Sequence, residues 1–273
     1  MAGYRHISEE LIKYLKLRTL PVGFKFFEDE ADMKELANRR KLPNRLKTCQ
    51  MITLARVNGW TIGATVNDFS DKDLSNHFCT AYLGMGPKMD QVADGTTRSL
   101  VWFRDKKDGL KCETMMPCIP AEKFKAIGIA PLAGEKFEPD VVLLYGTPAQ
   151  IIILVNAIQW ENYEQLVFHC VGESACNDSI VRCYLTKKPQ LALPCFGERQ
   201  FAAVQEEELV MGLPPDMLEK IIEGLKGLYS RGIRYPIPSL APQSDPSTVM
   251  PEEYRQAAQA VAQTLKKSTS NSE

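Results

Sequence analysis

The sequence predicts an α+β fold, α/β-like in layout, with two related lobes of mixed sheet flanked by helices. Three observations predict it. Short strand-like runs bounded by Gly and Pro alternate with helical stretches along most of the chain. The layout of the first half recurs in the second. The amphipathic stretch "PPDMLEKIIEGLKGLYS" then closes the second half before the composition changes. Residues 1–230 therefore read as a single α+β domain of two pseudo-repeated lobes, about 10–130 and 131–230, and residues 231–273 as a Pro-rich extended tail with a terminal helix.

The elements follow in order. The N-terminal "MAGYRHISEELIKYLKLRTLPVGF" opens with a short amphipathic helix whose charges rule out a secretory signal. "LPVGFKFF" reads as a strand, "TCQMITLARVNGW" as a helix with Thr48 as N-cap, and "TIGATV" as a strand. "DKDLSNHFCTAYLGM" is a helix, "SLVWFRD" a strand and "CIPAEKFKAIG" a helix ended by Gly128. A strand from Val141 to Tyr145 reaches Gly146. Thr147 then caps a helix with Pro148 in its first turn, where a missing N–H costs nothing. "EQLVFHCVG" reads as a strand, "ACNDSIVRCYLT" as the start of a helix, and "QLALPC", "RQFAAV" and "EEELVMGLP" as strands. "PEEYRQAAQAVAQTLKK" forms the terminal helix and "STSNSE" a disordered end.

The repeat rests on "TCQMITLARVNGW" laid over "PAQIIILVNAIQW", a hundred positions later. Gln50 meets Gln150, Ile52 meets Ile152, Leu54 meets Leu154 and Trp60 meets Trp160. Such self-similarity predicts a duplication whose lobes meet at a pseudo-two-fold interface, a common place for a site.

Composition narrows the function classes. With 273 residues, 44% hydrophobic and 25% charged, the chain is long enough for a sizeable core. A net charge of −1 argues against a nucleic-acid binder, and basic stretches such as "NRRKLPNRLK" read as solvated surface. The longest apolar run, Pro148 to Ile158, is too short for a bilayer, so the expected location is the cytoplasm, with no membrane partner. There is no GxSxG, HExxH or Walker A loop. The glycines of "YLGMGPKMDQVADG" match neither GxGxxG nor GKS.

Cysteines carry the remaining signal. There are eight, with three histidines, and none has C-x-x-C spacing. Cys49 and Cys176 fall at helix starts, where the orphan N–H groups favour a thiolate. Cys195 ends a strand before the Gly197 turn, and Cys79 lies within a helix, two residues after His77. Cys183 has apolar neighbours at helical spacing and reads as core. Cys170 has no clear side, and Cys112 and Cys118 flank "ETMMP" as reserve ligands.

The combination "CQMITLAR", "FCTAYLGMG", "YGTPAQ", "GESACNDSIV", "YLTKKPQLALPCFGER" and "LPPDMLEKIIEGL" resembles the prokaryotic domain-of-unknown-function family 169, the uncharacterised ArCR proteins. The resemblance runs from about Leu11 to Leu228 and is most specific from Tyr184 to Arg199. It implies that Cys49, Cys79, Cys176 and Cys195 lie in recurring motifs, and it implies no reaction. One departure is "FGER", where the resemblance leads to an aspartate form, "NGDR". Glutamate keeps the charge and moves it by one methylene.

Three readings follow. In the first, Cys49, Cys79, Cys176 and Cys195, two from each half, hold a 4Fe–4S cluster with a redox role in anaerobic metabolism and a redox partner, while Arg199 and the N–H groups around Gly197 offset its charge. Zinc in the same cage is a variant. The second is a metal-free enzyme or binding protein for a small anionic metabolite, held by Arg199, Arg182 and Lys187. In it Cys176 or Cys195 is the nucleophile, with His77 or His169 as its base. In the third, the cysteines are structural and the chain is a binding or assembly module; a homo-oligomer is compatible with any of them. Asp178, after Cys176, reads as a cap, and Glu198–Arg199 as the surface pair of a hairpin.

Overall fold

The run "VVLLYG" is apolar without alternation, a pattern that suits a strand covered on both faces. In the computed structural model it is the middle of one six-stranded sheet. The strands are β1 Val22–Phe27, β2 Ile62–Thr65, β3 Ala126–Pro131, β4 Val141–Gly146, β5 Gln190–Ala192 and β6 Leu209–Leu213. Their order is β2-β3-β1-β4-β6-β5, and each pairing is antiparallel. The structure describes residues 3–36, 38–70, 75–134, 137–239 and 241–270, with backbone only at 75–77 and 265–270.

The helices, in order, are α1 Gly3–Leu15, α2 Thr48–Asn58, α3 Ser75–Tyr82, α4 Asp90–Ala93, α5 Thr96–Ser99, α6 Lys106–Met115, α7 Pro148–Ile158, α8 Arg182–Thr186, α9 Phe196–Phe201, α10 Leu218–Ser230 and α11 Glu252–Ser270. A π turn, Asn177–Val181, leads into α8. None of the described helices is long and apolar enough to cross a membrane.

Strand alternation divides the core. Val22, Phe24, Val141, Leu143 and Tyr145 point to one face, where they pack with Met51, Ile52 and Ala55 of α2 and Ile180 and Val181 of the π turn. Val142, Leu144, Met211 and Leu213 point to the other face, under α1, α7 and α10. A smaller cluster of Phe27, Met33, Leu36 and Phe137 covers the β1–β3 corner.

The two halves therefore build one sheet and not two lobes. Their matched helices, α2 and α7, cover opposite faces. Ile52 is buried, whereas Ile152, its counterpart, is 47% exposed. The shared glutamines have a local cause. Gln50 Oε1 accepts the Lys47 N–H at 3.0 Å and Gln150 Oε1 accepts the Thr147 N–H at 2.7 Å, each closing a helix start. Lys47, not Thr48, is the N-cap of α2, and Thr48 begins the helix.

Four further expectations are corrected. "SLVWFRD" is no strand: α5 ends in it, and Leu100, Val101 and Trp102 stand exposed. "CIPAEKFKAIG" is turn followed by β3, while the preceding stretch, Lys106–Met115, is the helix α6. "EQLVFHCVG" is irregular and largely exposed. "RQFAAV" completes α9, because Cys195 caps a helix there instead of ending a strand. The terminal helix extends to Ser270, so only the last residues of "STSNSE" lie outside the described residues.

The π turn is seated on β6 through a glycine. A Cβ on Gly212 would meet the Ser179 carbonyl oxygen at 1.9 Å and the Ser179 carbonyl carbon at 2.8 Å. These are backbone atoms that cannot rotate away. Gly212→Ala is expected to cost about 1–3 kcal/mol in urea denaturation, as overpacking does, and to loosen the turn that follows Cys176.

Candidate functional site

The first turn of α2 places Cys49 against the sheet and leaves Lys47 and Thr48 beside it. Across a gap stand Cys79 of α3, Cys176 at the entry to the π turn, and Cys195 at the cap of α9. These four cysteines line one cavity of about 310 Å³, at the low end of small-molecule sites. Arg98, Glu173 and Glu198 also line it, with Phe78, Trp102, Phe196 and Phe201 supplying an aromatic wall. Trp102 and Phe196 meet edge to face at 6.0 Å and are both exposed, so the wall continues to the surface.

The thiols differ. Cys49 is buried; Cys79, Cys176 and Cys195 are half-buried. Burial pushes the Cys49 and Cys176 thiols far up, and negative charge at Glu198 adds to it. Burial also raises Cys79, while hydrogen bonding from the Thr48 side chain and backbone and the Lys47 charge pull it back. All three are held as neutral thiols near pH 7.

Behind the cavity runs a buried polar chain. Arg56 is 2% exposed and donates from both terminal nitrogens to Glu208, at 2.7 and 3.0 Å. Its guanidinium lies 4.2 Å from the centre of the Tyr145 ring. The Tyr145 hydroxyl donates to Glu198 Oε1 at 3.1 Å. Glu198 Oε2 is buried without a hydrogen-bond partner. Burial pushes the Glu198 carboxyl up to about 7; the Tyr145 bond, the Arg56 charge, the Cys195 N–H and the Arg199 charge offset this only in part. Glu198 is thus a carboxyl poised to exchange a proton at neutral pH. The hairpin reading of "FGER" hid it. The usable signal was its place three residues after a helix cap, from which a glutamate side chain turns back and inward.

A second buried network braces the opposite wall. Arg98 Nε donates to Glu113 Oε1 at 2.7 Å and Nη2 to the Tyr82 hydroxyl at 2.9 Å, and Nη1 pairs with Glu173. Lys88 joins at Glu113, at 3.2 Å. Two cations here face two carboxylates. Arg98 was hidden in the sequence by the strand reading of its neighbours.

The four expected cysteines and Gly197 are therefore brought together, but the cluster reading fails. Among the described residues, no group of three or more His, Cys, Asp or Glu is arranged to hold a metal ion. All four cysteines line the cavity without any three of them forming such a group. This corrects the 4Fe–4S cofactor, the zinc variant and the iron–sulfur, redox function drawn from them. Arg199 does not line the cavity. Its Nη1 donates to the Gln205 carbonyl. Arg182, Lys187 and His169 line a separate hollow, and the His77 side chain lies outside the described residues. Cys112 and Cys170 share a third hollow, Cys118 Sγ donates to the Ala81 carbonyl at 3.2 Å, and Cys183 is core, its thiol pushed up to about 12 by burial. Asp178 accepts the Val171 N–H at 2.8 Å and pairs with Arg182, a structural role.

Fold and site together define an α/β protein whose single antiparallel sheet carries a thiol-lined cavity on one face. The chain belongs to the domain-of-unknown-function family 169, described as uncharacterised ArCR, whose model matches residues 10–224. It is 26% identical over 224 residues, 81% of this chain and 93% of the other, to the uncharacterised protein MJ0308 of Methanocaldococcus jannaschii. No solved structure matches the chain.

Glu198 leaves a stability signature. Its raised folded value means that the native state keeps a proton that the unfolded chain loses, so its contribution is complete below the ordinary glutamate range and is lost as pH rises through about 7. Glu198→Gln removes that loss. In urea denaturation the variant is expected to gain on wild type between about pH 5 and pH 8, by a difference on the order of 3 kcal/mol.

Proposed function

We propose that the cavity binds a small anionic metabolite with an apolar body, without using a metal, and presents the Cys195 thiol to it. The carrying observation is the union in one small cavity of the α2 first turn, with Lys47 at its cap, and an aromatic wall. The start of α2, a helix of eleven residues, brings partial positive charge to the cavity, and Phe78, Trp102, Phe196 and Phe201 suit the remainder of the ligand. Cys195 is the reactive thiol of this reading, because it caps α9 beside the exposed Phe196 at the open end of the wall, whereas burial pushes the Cys49, Cys79 and Cys176 thiols up. Arg199, turned to Gln205, gives way to Lys47 and the α2 start as the anion-holding groups.

Iodoacetate and iodoacetamide test this as a matched pair of charged and neutral alkylating probes. With peptide mapping by mass spectrometry, iodoacetate is expected to label Cys195 faster than iodoacetamide by about tenfold relative to the same ratio on free cysteine. Lys47→Met should reduce that preference. A ratio equal to that of free cysteine at Cys195 would contradict the reading.

A further inference from the structure

We propose that Glu198 is the proton-linked selectivity residue of this cavity, so that its ligand is a weak organic acid taken up together with a proton. The inference rests on the anionic-metabolite reading and adds to it the state in which the site accepts the anion.

Geometry carries it. Glu198 is 2% exposed, yet it belongs to the cavity wall. Oε1 is engaged by Tyr145 and Oε2 by nothing. A buried carboxylate with one oxygen unpaired is costly, whereas the protonated acid has a hydrogen to give. Arg56 does not neutralise it, because both terminal nitrogens of that guanidinium are committed to Glu208. Nor does Arg98, which is committed to Glu113, Glu173 and Tyr82 on the opposite wall.

Several elements bring groups toward Glu198. β4 supplies Tyr145, α2 supplies Arg56 and Cys49, the π turn is entered by Cys176, and its own helix contributes Arg199 and the Cys195 N–H. Tyr145, Cys49 and Cys176 are all pushed up far from neutrality by burial. Of the acids in this set, Glu198 is the one that changes charge in the neutral range. When ionised it adds a full negative charge to the wall and repels an entering carboxylate. When protonated it removes that charge. Binding the anion therefore raises the affinity of Glu198 for its proton, and the two are taken up together.

The test follows the iodoacetate-to-iodoacetamide ratio at Cys195 against pH. Thiol ionisation affects both reagents and cancels in the ratio. The ratio is expected to fall about tenfold between about pH 6 and pH 8, the effect of one buried charge. In Glu198→Gln it should stay flat and remain high at about pH 8. Tyr145→Phe keeps the ring and removes the hydroxyl that holds Glu198 down, so the midpoint should move to higher pH. A preference for iodoacetate that is flat across this range in wild type overturns the role of Glu198 and leaves the anion site standing. No preference at any pH overturns both. A fall that persists unchanged in Glu198→Gln and does not shift in Tyr145→Phe also overturns it.

Discussion

The structure around the site depends on the ion pair between Arg56 and Glu208. Two bonds, at 2.7 and 3.0 Å, join the last turn of α2 to Glu208, the residue just before β6. Both groups are out of water, so neither tolerates loss of the other. Breaking such a pair costs more than forming it contributes. The pair holds α2 at a set position on the sheet, and the Tyr145 ring closes over the guanidinium. From that position follow the placement of Cys49 at the other end of α2, the Tyr145 hydroxyl and its contact with Glu198. α2 is also tied to α9 directly, where Thr53 Oγ1 donates to the Ala202 carbonyl at 2.7 Å. Cys49 and Cys195 thus sit on two helices that are locked to each other and to the sheet.

The cavity is built by contrast between its two sides. On one side, charges cancel: Arg98 and Lys88 against Glu113 and Glu173. That side is a brace, which fixes α5 and the 173–177 segment across the gap. On the other side Glu198 has no committed cation, and its state answers to pH. The thiols between them are mostly shielded and neutral. A site of this kind separates holding from responding. The balanced network sets shape, and a single carboxyl sets charge.

Much of this was legible in the sequence, for physical reasons. β1, β2, β4, β5 and β6 show as apolar runs between Gly and Pro, and α7 and α10 show through capping and periodicity. Of the four cysteines that share the cavity, Cys49, Cys176 and Cys195 stand out in the sequence by their place at element ends, and Cys79, inside a helix, joins them through the family resemblance. What sequence pattern could not supply was convergence in space. Local thiol spacing carries no information on whether four side chains meet at a point or line a wall. The repeat was persuasive because both helices need a glutamine to close their first turn, a local demand that does not extend to which face of the sheet they cover. Of the three stretches that read as strands and are not, those containing Val101, Trp102 and Phe201 line the cavity, while residues 164–172 are irregular and largely exposed. Glu198 and Arg56 were missed for a related reason. Glu198 reads as surface from its neighbours and Arg56 carries no local signal, yet both are buried by partners far away in sequence.

The most direct measurement of the central claim is the titration of the Glu198 carboxyl by carbon NMR on protein labelled at the glutamate side chains, assigned by the signal missing in Glu198→Gln. The account predicts one carboxyl titrating near about 7, apart from the ordinary glutamates. A Glu198 signal that titrates with the others, in the usual range near about 4, would contradict it.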